Sequence, residues 1–581
     1  MRQTLLPLAL VAALAACAPA LRAVQIGDRE GAWRELEAYV QAQMRDSGVV
    51  GAAVAVVEGD TVRSAGFGYF DREAGRKATS QTAFRVGSVT KPITATVVLQ
   101  LAEAGKIDLD APYRTYVPEF AIRTHDGKPH PVTVRQLLDH HAGIPTNRVK
   151  GALAANPPHF SSVVGDLAEV YATAPPDTIY GYSNLGYDLL GVLIERQTGR
   201  SFEEVVRDRV LDPVGMAGSD FDPQRLGRSY ERGQSLPDWP MRDVPAGGLI
   251  AHVDDLARFG KVALRRGALP GDPPGRRLLS ERWWNEMWRP QNEHVSLDLD
   301  FRIGLGWMLM GTEPIADSGF LARHSGNVGR YRAELEVLPD RDLAVAVVTN
   351  TAEGGQFVYD AARRALELMI AAQGPRPGVG ASPVAPRPLP PAPSLAALEG
   401  PWATPVGTFV TRAIGDNLAF DFWGATWETY RKPDATLGLQ GKLLGFLPFP
   451  APVAVRTMEP LVARVDGQDR LAIRRNGFYW MGDRIVPTPV RPAWQRMVGD
   501  YVVTNLGDDF PIMESFALRM DGGLLYEDAR YVFGGLREYK ALRILSNTEA
   551  VVTGLGNLTG DTLVRSGDGR LRFSGLDLVR R

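Results

Sequence analysis

The chain has 581 residues, 45% of them hydrophobic and 23% charged, enough apolar material for roughly three or four folding units and too much for a disordered chain. Sixty-five Lys and Arg against 67 Asp and Glu leave a net charge of −2, so there is no basic field to hold a nucleic acid. A single cysteine excludes an internal disulfide framework and any cysteine-ligated zinc or iron–sulfur site.

That cysteine ends the first element. Arg2 precedes an apolar run from Leu5 to Ala16, too short to span a bilayer but suited to a signal-peptide core. The run closes Leu14-Ala15-Ala16-Cys17, which resembles a bacterial lipobox. Residues 1–17 therefore read as a lipoprotein signal with Cys17 lipidated; an ordinary secretory signal cut after Ala20 is the alternative. The expectation is an exported protein of the periplasm or cell envelope, touching membrane only through its lipid anchor.

Residues 18–30 read as a tether, and Trp33, Leu36, Tyr39 and Val40 mark an amphipathic helix over 31–45. Two strand-like runs, 51–58 and 61–69, meet at Gly59-Asp60 as a hairpin. A second hairpin, 331–338 and 343–349, precedes a helical segment over 356–372. Between the hairpins lie helices, loops and turns. The pattern predicts an α+β unit over 31–373: an antiparallel sheet built from both chain ends, flanked by helices, with an all-helical insertion. Residues 374–394 hold eight prolines in 21 positions and read as a stiff linker. Beyond it, Leu398-Glu399-Gly400-Pro401-Trp402 parallels Met497-Val498-Gly499-Asp500-Tyr501, a weak internal repeat. Two antiparallel β-barrel modules, 395–490 and 491–581, fit this repeat; one larger sandwich is the rival.

The chemistry starts at Ser88-Val89-Thr90-Lys91, before the helical run 92–104. Serine and lysine three apart at a helix start face the same side, where unpaired N–H groups favour an alkoxide. This pattern alone is weak. It is joined by Tyr182-Ser183-Asn184 and by His324-Ser325-Gly326, the latter just before a strand. Leu137-Leu138-Asp139-His140-His141-Ala142-Gly143-Ile144, Ala246-Gly247-Gly248-Leu249 and Gly304-Leu305-Gly306-Trp307 accompany them.

In these segments, over roughly 30–372, the chain resembles the serine β-lactamase and penicillin-binding-protein superfamily, in its class C-like branch of hydrolases, D-aminopeptidases and esterases. The resemblance implies Ser88 as acylated nucleophile and Lys91 as proton acceptor or relay. Tyr182 would act as general base and acid, and Asn184 would orient Lys91 or substrate. The backbone N–H groups of Ser88 and Asn327 would form the oxyanion hole. Tyrosine, with an unperturbed pKa of ~10, needs a neighbouring cation to serve as base, and Lys91 is that cation.

Two departures matter. His324, which the resemblance places among the catalytic residues, replaces the lysine of the Lys-Thr-Gly motif; this weakens the anchor for a β-lactam carboxylate without putting catalysis in doubt. Ala142 replaces a serine in the Leu-Leu-x-His-x-Ser-Gly-Leu pattern. With that lysine missing, Gly326 and Arg330 are expected beside the substrate, Arg330 reading a carboxylate. His140 reads as a loop histidine, Asp254-Asp255 and Asp508-Asp509 as turn caps, and Trp283, Trp284 and Trp288 as helix packing. Eight histidines without a metal-ligand pattern give no metal site, and no cofactor is called for. The expected activity is acyl transfer through Ser88 on D-amino-acid peptides or amides, with a small-molecule or peptide substrate. An esterase and a catalytically retired envelope-binding lipoprotein are the alternatives, and the oligomeric state stays open.

Overall fold

The structure, a computed structural model, describes residues 24–379 and 398–581 apart from 272–274, 310–314, 316–317, 406, 416, 423–424, 433–436, 444–446, 451–454, 456–457, 476–477, 533–536 and 557. The leader with Cys17, the tether before residue 24 and the linker from residue 380 to 394 lie outside the described residues.

Strands β1 (Gly51–Glu58), β2 (Thr61–Asp71), β3 (Arg76–Lys77), β4 (Met308–Leu309), β5 (Ala322–Val328), β6 (Tyr331–Leu338) and β7 (Leu343–Thr349) form one antiparallel sheet. Its order is β3-β2-β1-β7-β6-β5-β4, so the two chain ends meet at β1 and β7, with Ala52 opposite Thr349. β1 reads as an unbroken apolar run because both sheet faces are covered. Val54 and Val56 join the core beneath helices α1 (Arg29–Ser47) and α5 (Gly355–Gln373), while Ala53, Ala55 and Val57 join the larger core on the other side. α1 is longer than its apolar spacing suggests because of its caps. Asp28 accepts from Gly31 N at 2.7 Å, and Gly48 ends the helix at φ +71°.

The larger core surrounds α2 (Thr90–Glu103), which is almost wholly buried although it carries Lys91 and three threonines. α3 (Asn184–Thr198) and α4 (Val253–Leu264) belong to the same core. Trp284 and Trp288 meet edge to face at 5.7 Å there, Trp283 lying partly buried beside them.

Two β units follow the linker. In the first, an antiparallel meander from Gly400 to Pro450, with Asp483–Arg484 as the edge strand beside Gly400–Thr404, makes an open seven-stranded sheet, with a three-stranded sheet over residues 459–481. In the second, β8 (Gly499–Val503), β9 (Met513–Asp521), β10 (Leu524–Tyr531), β11 (Arg537–Ile544), β12 (Glu549–Val552), β13 (Thr562–Arg565), β14 (Leu571–Phe573) and β15 (Leu576–Arg580) close into an eight-stranded barrel. The internal repeat has a local counterpart in each. Trp402 Nε1 donates to Leu398 O at 2.8 Å, and the Tyr501 hydroxyl donates to Met497 O at 2.5 Å.

The barrel is docked on the sheet-and-helix unit through the segment after His140. Lys150 Nζ lies 2.9 Å from Asp509, Gly151 N donates to the same carboxylate at 2.8 Å, and Phe510 N donates to Leu153 O at 2.8 Å. Val149 N donates to Ser574 Oγ at 2.9 Å and Leu558 N to Thr146 Oγ1 at 3.1 Å. The acidic pair Asp508-Asp509 thus does more than cap a turn: it holds two units together.

Candidate active site

Ser88 stands in a single turn of 3-10 helix, Gly87–Val89, that runs straight into α2. One helical turn on, Lys91 is fully buried, and its Nζ has three polar neighbours: Ser88 Oγ at 3.1 Å, Asn184 Oδ1 at 2.7 Å and Ala246 O at 2.7 Å. Burial pushes its pKa down to about 7, against the upward pull of Asp188 and Asp243. A neutral amine has two N–H donors and one lone pair. Asn184 Oδ1 and Ala246 O take the two donors, which leaves the lone pair for the Ser88 hydroxyl. The geometry therefore suits proton transfer from Ser88 to Lys91.

The Tyr182-Ser183-Asn184 segment divides its labour by position. Ser183 is the N-cap of α3: its Oγ accepts from Gly186 N at 2.8 Å and donates to Pro145 O at 2.8 Å. Asn184, the first helical residue, gives its carbonyl to Lys91 and donates through Nδ2 to Asn147 Oδ1 at 2.7 Å. Tyr182 is hydrogen-bonded to Ser88, with Lys91 Nζ 4.7 Å from its ring centre. Burial raises the Tyr182 phenol well above its ordinary value, and the Ser88 hydrogen bond offsets this only in part. With a pKa of about 7, Lys91 is about half protonated at pH 7, and that partial charge does not offset the burial of the phenol. Burial works against the cation-assisted tyrosinate expected from the sequence, and the geometry at Ser88 Oγ favours Lys91 as proton acceptor.

His140 aims this segment. It occupies the left-handed region at φ 64°, its carbonyl accepts from Gly181 N at 2.9 Å, and its Nδ1 accepts from Ser183 N at 3.1 Å. Burial holds it neutral, consistent with that acceptor nitrogen. His141 is a separate structural pair, Nε2 lying 2.8 Å from Asp298.

β5 supplies the opposite wall. Gly326 sits so close to the serine turn that a Cβ there would lie 1.9 Å from Val86 O, and a Cβ on Gly87, itself at φ +52°, would lie 2.7 Å from Asn327 N. Both glycines are needed for close approach, which brings the backbone N–H of Asn327 to the turn that carries Ser88. His324 is buried and pushed down to about 3 by burial and by Lys91; its Nδ1 donates to Ser325 O at 2.8 Å. A neutral imidazole is no carboxylate anchor.

Arg330 departs from expectation. It is buried away from the cavity of Ser88, donating to Pro237 O at 3.0 Å and lying 3.4 Å from Glu231. Carboxylate reading by Arg330 is therefore corrected to anchoring of the 231–237 loop. Gly326 likewise acts through backbone packing and does not line the cavity.

Ser88, Asn184 and Asn327 border a cavity of about 330 Å³. Sequence reasoning missed what faces them: Ile512, Glu527, Tyr531, Glu538, Asp561 and Phe573, all from the barrel. The available signal was the inward register of β10, where Leu525, Glu527 and Ala529 are all buried and a glutamate interrupts an apolar face.

A family model described as Beta-lactamase matches residues 36–369. Penicillin-binding protein 4 of Amycolatopsis lactamdurans is 32% identical over 378 residues, covering 60% of this chain and 93% of its own length. Esterase EstB of Burkholderia gladioli is 35% identical over 218 residues, 35% of this chain and 55% of the esterase. Among solved structures, the octameric penicillin-binding protein homologue from Pyrococcus abyssi superposes with TM-score 0.53 at 22% identity, covering 77% of this chain and 99% of its own.

Proposed function

The chain belongs to the Beta-lactamase family and is a serine hydrolase, and from that premise we propose that Ser88 forms an acyl-enzyme with D-amino-acid-containing peptides or amides. The observation that carries the reading is Lys91, stripped of water and left with its lone pair facing Ser88 Oγ. As Oγ bonds to the substrate carbonyl carbon, its proton passes to Lys91 Nζ. The N–H groups of Ser88 and Asn327 take the charge that develops on the carbonyl oxygen. Collapse breaks the bond to the leaving amine, which receives a proton from the Tyr182 hydroxyl, and Lys91 restores that proton. Water repeats the sequence on the acyl-enzyme and frees Ser88. The neutral His324 argues against efficient β-lactam hydrolysis. An esterase is the second reading, favoured by the 35% identity to Esterase EstB.

Because the neutral amine is the working form, kcat/KM should rise with pH through about 7 and fall away below it, as Lys91 becomes protonated. A pH–rate profile on a D-alanyl anilide or a chromogenic ester checks this. A profile flat between pH 5 and 9 would count against Lys91 as base.

Export and lipid anchoring are inferred from Leu14-Ala15-Ala16-Cys17. Cys17→Ser should shift the protein from the membrane fraction to the soluble one in a bacterial host. Equal partition of both forms would refute the anchor.

A further inference from the structure

Two buried carboxyl groups lie behind Lys91, and the acyl-transfer scheme uses neither. Asp188 is on α3, one helical turn after Asn184, and Asp243 immediately precedes the helical turn Val244–Gly247. These are the two elements that hold the amine, through Asn184 Oδ1 and Ala246 O. They are pressed together: a Cβ on Gly191 of α3 would lie 2.3 Å from Pro245 Cγ, and Thr94 Oγ1 of α2 donates to Pro245 O at 2.8 Å. Asp188 is 0% exposed, and neither of its oxygens receives a hydrogen bond. The polar group it meets is the carboxyl of Asp243, to which only a protonated Asp188 can donate.

Two carboxyls in contact, buried beside one guanidinium, do not both ionise. Arg242 decides which of them keeps the charge. Its Nε donates to Asp243 Oδ1 at 2.6 Å, while Nη1 and Nη2 donate to Lys150 O at 3.0 Å and Arg148 O at 3.1 Å. Asp243 is therefore the carboxylate and Asp188 the acid. Burial and the Asp243 charge raise Asp188 well above the carboxylate range, against the pull of Arg242 and Lys91. The barrel helps to fix this arrangement, because the residues that Arg242 grips are the ones bonded to Asp509 and Ser574.

Asp188 and Asp243 are the groups that pull the Lys91 amine upward against its burial. The other titratable side chains around Nζ are neutral at pH 7. Burial holds His140 and His324 down and raises the phenols of Tyr182 and Tyr187, whose ring centres lie 4.7 and 5.2 Å from Nζ. Beyond Arg242, Asp166 and Arg148 pair with each other at 3.1 Å.

We propose that Asp188 and Asp243 share a single proton behind Lys91 and act as positioning residues, the negative charge of the pair setting how firmly Lys91 holds the proton it takes from Ser88. This rests on the acyl-transfer reading of Ser88. As that proton reaches Nζ, an ammonium forms in a buried site, and the pair is the anion beside it. With both carboxyls ionised, Lys91 would stay protonated and accept nothing; with neither, it would hold the proton too weakly.

The test uses the full chain. Asp188→Asn combined with Asp243→Asn removes the charge and nearly keeps the shape. The rise of kcat/KM through about 7 should then move to lower pH by roughly 1–3 units, the scale of one close opposite charge. Plateau kcat should fall roughly tenfold as the base weakens. Asp188→Asn alone leaves one carboxylate beside Lys91 and should move the rise by less. A rise unmoved in the double variant, as a merely structural role would leave it, overturns the proposal, and so does an equal shift in both variants. Where the double variant fails to fold, the infrared difference between the wild type and Asp188→Asn at pH 7 decides. The stretch of a protonated carboxyl should be present in the wild type and lost in the variant; its absence from the difference overturns the shared proton. That spectrum needs no turnover, so should a fluorophosphonate leave Ser88 unlabelled, the acyl-transfer reading fails by itself and the carboxyl pair is still judged.

Discussion

Ser88→Ala should lose its covalent adduct with a fluorophosphonate and drop in hydrolysis by about 10⁴–10⁶-fold, the scale on which acyl-transfer enzymes respond to removal of their nucleophile. The neighbouring hydroxyls of Thr90 and Tyr182 are not placed to substitute. Thr90 Oγ1 donates to Gly87 O at 2.7 Å and accepts from Leu249 N at 3.1 Å, so both its roles are structural. Tyr182 has the wrong acidity for attack, since burial raises its phenol. The fold should survive, because Ser88 is partly exposed and its removal empties no core volume. Intact-mass analysis reads the outcome directly. An adduct that persists in Ser88→Ala would place the nucleophile elsewhere.

Lys91→Met should lower kcat by roughly 10²–10⁴-fold, the usual scale for a group that moves a proton in the rate-determining step. Methionine matches the lysine side chain as far as Cε and removes the amine with its lone pair and its N–H donors. Asn184 Oδ1 and Ala246 O then lose their donor. Each such loss costs about 1–3 kcal/mol, offset in part because an amine no longer has to be desolvated. A modest fall in Tm with a large fall in kcat is the expected pairing. The rise of kcat/KM through about 7 should vanish with the side chain. A variant that kept both its turnover and that limb would show that another group accepts the proton.

The sheet was legible because its signals are local. Gly59-Asp60 and Pro339-Asp340-Arg341-Asp342 mark hairpins by turn chemistry, and both hairpins form, in a register that joins β1 to β7. Ser88, Lys91, Tyr182 and Asn184 were legible because spacing and resemblance point to the same residues, and they do lie within hydrogen-bonding reach of one another. Three features were not. Lys91 near neutrality comes from complete burial, which depends on helices far apart in the chain. Arg330 looked like a rim cation because its partner, Glu231, stands about a hundred positions away with no motif to link them. The barrel's share of the cavity depends on Lys150 meeting Asp509 across more than three hundred residues, a contact with no local trace.

That clamp has an evolutionary consequence. The groups proposed for acyl transfer lie on the turn before α2, on α3 and on β5, whereas the surface facing them is carried by a barrel with its own closed hydrogen-bonding and its own core. Substitutions on β10 and β11, whose Glu527, Tyr531 and Glu538 line the cavity, should change what it accepts without touching the helices whose burial tunes Lys91. Drift in diet and upkeep of chemistry are thereby inherited through separate stretches of sequence, and one scaffold can serve successive acyl donors by exchanging the lining of its lid.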